Sequence, residues 1–133
     1  MKKRQVIILA VIVAAVIGGG FGIKSYVDLK TYQKQVKDIT IAEVDLSKVA
    51  DGVYTGSYEV LWVAAEVKVT VKEHKIQGIE LVKHKNGRGA PAETIPAKVV
   101  EAQSLEVDIV SGATSSSKVI LKAVENALNG TPE

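Results

Sequence analysis

Val63-Ala64-Ala65-Glu66-Val67-Lys68-Val69-Thr70-Val71-Lys72 alternates along its length. Val63, Ala65, Val67, Val69 and Val71 point one way in an extended chain, while Glu66, Lys68, Thr70 and Lys72 point the other. A strand of this kind lays one face on a core and keeps the other in water, as antiparallel sheets allow. Glu73-His74-Lys75 turns the chain, and Ile76 to Lys83 returns with Ile79 and Leu81 on the buried face. Upstream, Asp51-Gly52 is a turn signal, and Val53 to Tyr58 reads as a short strand broken by Gly56. Downstream, a short helix is expected with Thr94 as N-cap, Pro96 in its first turn, and Val99, Val100 and Ala102 packing inward. Leu105 to Ile109 reads as a short strand. The last helix should run from about Ser116 to Leu128, on a stripe of Val119, Ile120, Ala123, Val124, Ala127 and Leu128, with Lys122 outside it. Asn129-Gly130 closes that helix. The fold class is therefore α+β: a small antiparallel sheet with a C-terminal helix.

The other end of the chain is different in kind. Val6 to Ile23 holds eighteen residues without a charge. As a helix this is about 27 Å long, near the roughly 30 Å of a bilayer's hydrocarbon core. Lys2, Lys3 and Arg4 precede it and favour a cytoplasmic N-terminus. A cleaved signal peptide shares this pattern, but the apolar run is long for one and no A-x-A-like site closes it. The expected organisation is a cytoplasmic tip and transmembrane helix over 1–23, a stalk over 24–50, and a folded domain over 51–130 at the extracytoplasmic face. Tyr26, Leu29, Tyr32 and Val36 give the stalk a helical period, and Ile39, Ile41, Val44 and Leu46 lead on to the domain.

Composition narrows the chemistry. The 133 residues contain 17 Lys plus Arg and 15 Asp plus Glu, and without the three N-terminal cations the balance is 14 against 15, or −1. Such a surface argues against a nucleic-acid partner. There is no cysteine, which excludes disulfides, thiolate zinc sites, cysteine-ligated clusters and c-type haem. The two histidines are too few for a His-rich metal site. His74, in the hairpin turn, reads as a solvated imidazole, and His84, between Lys83 and Lys85, reads as a surface residue. Asn86-Gly87-Arg88-Gly89 has the composition of a phosphate-cradling loop and equally that of an ordinary turn.

One stretch stands apart. Asp108-Ile109-Val110-Ser111-Gly112-Ala113-Thr114-Ser115-Ser116-Ser117 leads into the last helix, with hydroxyls on five of its ten residues. A helix start offers free N–H groups and a positive dipole end to a phosphate. Helix capping is the alternative use of the same residues, although one hydroxyl suffices for a cap.

The run Asp108-x-x-Ser111-Gly112-Ala113-Thr114 resembles the flavinylation motif of the FMN-binding domain family, which includes flavin-carrying subunits of ion-pumping membrane oxidoreductases and small exported bacterial proteins. The similarity extends over about residues 51–128. It takes in Asp51-Gly52-Val53-Tyr54-Thr55-Gly56, the hairpin from Val67 to Glu80, Gly87 to Glu93, Glu101-Ala102-Gln103-Ser104, and Val107-Asp108. The resemblance implies covalent FMN joined through its phosphate to the Thr114 hydroxyl, with Ser111, Gly112 and Ala113 as the tight turn that exposes it. It also implies a separate FAD-dependent, Mg²⁺-requiring flavin transferase that recognises the motif from Asp108. After the threonine many relatives carry a bulky residue and a second Thr; here Ser115 and Ser116 stand, which leaves Ser115 as a minor alternative acceptor. Tyr54, Trp62, His84 and Arg88 are candidates to surround the flavin ring.

The expected function is an extracytoplasmic electron carrier rather than an enzyme, with membrane or extracytoplasmic redox proteins and the lipid bilayer as partners. Outside the cytoplasm a tether prevents loss of cofactor by dilution. The alternatives are a reversible binder of a phosphorylated small molecule and a cofactor-free structural subunit of a membrane complex.

Overall fold

A computed structural model describes residues 3–85 and 90–132, and of 15–23 the backbone alone. The chain divides into two compact units, Met1–Lys34 and Gln35–Glu133. Helix α1 covers Lys3–Lys37. Its apolar residues from Val6 to Val13 are about half exposed. Among the described residues no helix is long and apolar enough to cross a membrane; the side chains of 15–23, which complete the expected span Val6–Ile23, lie outside that set.

The second unit is built on a three-stranded antiparallel sheet, β1 (Gly52–Glu59), β2 (Ala64–Lys72) and β3 (Lys75–Lys85), in the order β1-β2-β3. β2 is central, and Ala65, Val67, Val69 and Val71 on its inner face are buried, in keeping with their alternation. The β2–β3 turn places both Glu73 and His74 at positive φ, 54° and 62°. Non-glycine residues resist that conformation, and here the turn is held from outside. The Glu73 N–H donates to Asp51 Oδ1 at 2.8 Å, and His74 Nδ1 lies 3.2 Å from the carbonyl oxygens of Leu46 and Val49. The His74 imidazole is thus engaged with backbone rather than simply solvated.

Two bulges shape β3. Val71 pairs with Ile76 and Thr70 with Gly78, so Gln77 is extra; Val67 pairs with Leu81 and Glu66 with Lys83, so Val82 is extra. Each bulge reverses the phase of the side chains beyond it. The second turns Val82 outward and brings His84 to the inner face, opposite Ala65.

Helix α3 (Thr114–Leu128) lies over β1 and β2. Strand β1 is continuous through Gly56, whose role is close approach: a Cβ there would stand 2.3 Å from Ala123 O and Ala127 N. The six expected stripe residues of α3 are all buried. So are Leu121 and Glu125, because the chain ahead of the sheet covers the other side of the helix. Ala42 N–H donates to Glu125 Oε1 at 2.6 Å, Lys122 Nζ donates to Thr40 O at 3.0 Å, and Lys122 also pairs with Glu125. Ile39 and Val49 are buried, so this stretch packs into the folded unit. Lys122, expected to be incidental, is the counter-ion of a buried carboxylate.

Helix α2 (Ile95–Ala102) packs on β3 and buries Ile95, Pro96 and Val99, while Val100 is half-buried and Ala102 exposed. The inward face is shorter than expected because the helix stops at Ala102 and Gln103 turns left-handed at φ 51°. Thr94 supplies no side-chain cap. A 3-10 turn over Ala90–Thr94 runs directly into α2, and the Thr94 hydroxyl donates to Pro91 O at 3.1 Å. The Gln103 amide acts as a partner for the edge strand: Oε1 accepts from Ile76 N–H at 2.7 Å and Nε2 donates to Ile76 O at 2.8 Å.

Candidate functional site

The expected strand Leu105–Ile109 is absent; this stretch is irregular. Its backbone finds a side chain instead of a ladder. Glu43 Oε1 accepts from Leu105 N–H at 3.1 Å and Oε2 from the Ser104 hydroxyl at 2.6 Å, and Ser104 Oγ accepts from Glu106 N–H at 3.0 Å. Partial burial works against the Glu43 charge, but hydrogen bonds from Ser104 and from the N–H groups of Leu105, Val44 and Glu106 outweigh it and hold the carboxyl below its ordinary range. Asp108 follows, exposed.

A tight turn comes next. Ala113 N–H donates to Val110 O at 3.0 Å, with Ser111 and Gly112 at the corner. Gly112 adopts φ +81°, which the third position of a type II turn requires. A Cβ on Gly112 would meet nothing within 4 Å, so conformation rather than crowding asks for glycine.

Helix α3 begins at Thr114, two residues before the expected start at Ser116. Its N-cap is Ala113, and among the described residues no side chain caps the helix. The hydroxyls do other things. Ser111 and Thr114 are exposed and Ser115 is half-buried, whereas Ser116 and Ser117 are buried in the first turn. Ser117 Oγ accepts from Val110 N–H at 3.2 Å and fastens the turn to the helix. The leading N–H groups of α3, which carry no side-chain oxygen among the described residues, suit a phosphate. Beside them stands the exposed Thr114 hydroxyl. The donor set and the open face at Gly112 therefore fit the phosphate end of a flavin nucleotide. Ser111, Gly112, Ala113, Thr114 and Ser115 share this one helix start; Asp108 lies ahead of the turn, in the irregular stretch.

His84 is not a surface residue. Its side chain is 3% exposed, with Nε2 3.0 Å from Ser116 Oγ and Nδ1 3.1 Å from Glu93 Oε1. The bulge at Val82 put it there. The signal in the sequence was the spacing: Ile76 to Ile79, and Leu81 to His84, are three apart in a strand whose faces alternate by two. Tyr54 is buried, its hydroxyl donating to Ala50 O at 2.6 Å, which commits it to the core. Trp62 is 43% exposed between β1 and β2. The loop Asn86-Gly87-Arg88-Gly89 lies outside the described residues.

The chain resembles known proteins over part of its length. An uncharacterized protein of Treponema pallidum (strain Nichols) is 34% identical over 85 residues, covering 62% of this chain and 24% of that protein. The NADH:acrylate oxidoreductase of Vibrio harveyi is 41% identical over 66 residues, covering 47% of this chain and 7% of that enzyme. The chain thus spans about a quarter or less of the length of these relatives. The FMN-binding domain family matches residues 61–129, from the β1–β2 connection to the end of α3. With more than half its length so matched, and with a phosphate-compatible helix start inside the match, the chain belongs to the FMN-binding domain family.

Proposed function

We propose that this protein is an electron carrier whose FMN is joined through its phosphate to the Thr114 hydroxyl, and that Val6–Ile23 anchors it at the extracytoplasmic face of a membrane. The observation that carries the reading is the state of Thr114: an exposed hydroxyl on the first residue of an uncapped helix, behind a glycine turn. Attachment by an FAD-dependent transferase forms a Thr114 Oγ–phosphorus bond and breaks the pyrophosphate bond of FAD. AMP leaves, and the hydroxyl proton passes to solvent or to the leaving phosphate. The N–H groups at the start of α3 would face the phosphate charge. Bound FMN supplies one- and two-electron transfer. Support for the anchor comes from Val6 to Val13, apolar residues that stand about half exposed on α1. The redox partners would be separate proteins at the same membrane.

The test is coexpression of the full chain with a flavin transferase, followed by intact-mass measurement after denaturation. The wild type should gain the mass of one FMN less one water, and Thr114→Val should gain none. Thr114 is not the cap residue, so Thr114→Val should fold normally. Asp108→Ala should be modified more slowly, as an exposed part of the transferase's recognition stretch. A wild type that stays unmodified beside a modified control substrate would sink the reading.

A further inference from the structure

Ser116 and His84 come from α3 and β3, and their side chains are almost wholly buried, at 1% and 3% exposure. Polar groups at such depth persist only with partners, and these two have each other. Glu93 completes the array from the 3-10 turn before α2, its carboxylate half exposed. An ionised carboxylate only accepts. It therefore draws the imidazole hydrogen to Nδ1, and in the neutral ring Nε2 is left to accept the Ser116 O–H.

We propose that the Glu93–His84–Ser116 array is the device that positions Thr114 for flavin attachment, with His84 as the positioning residue; this rests on the reading of Thr114 as the acceptor. The Ser116 hydroxyl, committed sideways to β3, is drawn away from the backbone carbonyls three and four residues back, at Ala113 and Gly112, to which a serine can otherwise bond. Its direction fixes the rotation of α3 about its axis, which an apolar contact of the same size would leave free to slide. The adjacent Ser117 ties the Val110–Ala113 turn to the same helical turn. Thr114 is thereby held on both flanks, its hydroxyl aimed outward. Group transfer is sensitive to small errors of aim, so the array should matter to the transfer step more than to docking of the transferase.

The test uses full-length protein made without transferase, then incubated with purified transferase, FAD and Mg²⁺ over a range of carrier concentrations. Attachment is followed by intact mass. His84→Leu and Ser116→Ala should each lower kcat at least about tenfold while moving KM for the carrier far less. The double variant should be no worse than His84→Leu, because Ser116→Ala removes only a contact that His84→Leu has already broken. His84→Gln should recover much of the rate, since its amide oxygen can accept the Ser116 hydroxyl. Wild-type kcat in both single variants, or no recovery in His84→Gln, would overturn the inference while modification of the wild type keeps the acceptor reading. Should His84→Leu unfold by circular dichroism, Ser116→Ala decides alone, as it removes a single oxygen. A wild type that is never modified overturns the acceptor reading and this inference with it.

Discussion

Glu125 Oε1 accepts the backbone N–H of Ala42 at 2.6 Å, joining residues 83 apart in the chain. The carboxylate is buried, and Lys122, one turn earlier on α3, supplies its counter-charge. The chain ahead of the sheet is thus fastened to α3 by two hydrogen bonds, Ala42 N–H to Glu125 and Lys122 to Thr40 O, and the Lys122 and Glu125 side chains form an ion pair within the helix. A buried pair is costly to break by halves.

Lys122→Glu should therefore destabilise on the order of 3 kcal/mol, because it leaves Glu125 buried beside a second negative charge. Val124→Asp, on the opposite side of the helix against the sheet, should cost several kcal/mol by burying an unpartnered carboxylate. Urea unfolding followed by circular dichroism measures both. A neutral Lys122→Glu would show that the contact is not held in solution.

Gly56→Ala and Gly78→Ala should differ in sign. The first drives a methyl into the Ala123 and Ala127 backbone and should destabilise by about 2–3 kcal/mol. The second meets nothing within 4 Å and should stabilise by about 0.5–1 kcal/mol through lost freedom of the unfolded chain. Shifts in the urea midpoint at constant slope report each effect.

Glu43→Gln should lower stability at neutral pH by less than about 1 kcal/mol, since the carboxylate is exposed. The Glu43 carboxyl is held below its ordinary value in the folded state. Its contribution is therefore complete above 4.5 and is lost as pH falls through the lowered folded-state value. The difference between wild type and Glu43→Gln should persist at pH 7 and close in acid. A difference that widens in acid would contradict the hydrogen-bond pattern around Ser104 and Leu105.

The anchor makes its own demand. Protein expressed in cells should stay in the membrane fraction after an alkaline wash and enter solution with detergent. Its intact mass should include residues 1–23, and protease added to spheroplasts should remove the domain. A mature form beginning near residue 24 would mean that the apolar segment is a cleaved leader.

Local order was legible in the sequence. The alternation of Val63 to Val71 and the stripe from Val119 to Leu128 follow from the periods of strand and helix, which each residue shares with near neighbours. The turn ahead of Thr114 was equally local, because Gly112 meets a backbone requirement within its own four residues. What the tertiary structure decided lies in contacts between distant residues. Cross-strand register placed the bulges at Gln77 and Val82, and the second of these turned His84 from the surface to the core. Packing of residues 39–43 on α3 made Glu125 a buried group and Lys122 its partner. Glu43 took up the N–H of Leu105 that a strand would have used, which left the Leu105–Ile109 stretch irregular. Ser116 and Ser117 read equally as phosphate partners or as caps because only their type was visible. Their burial depends on what faces the first turn of α3, and that is settled when the sheet and helix meet.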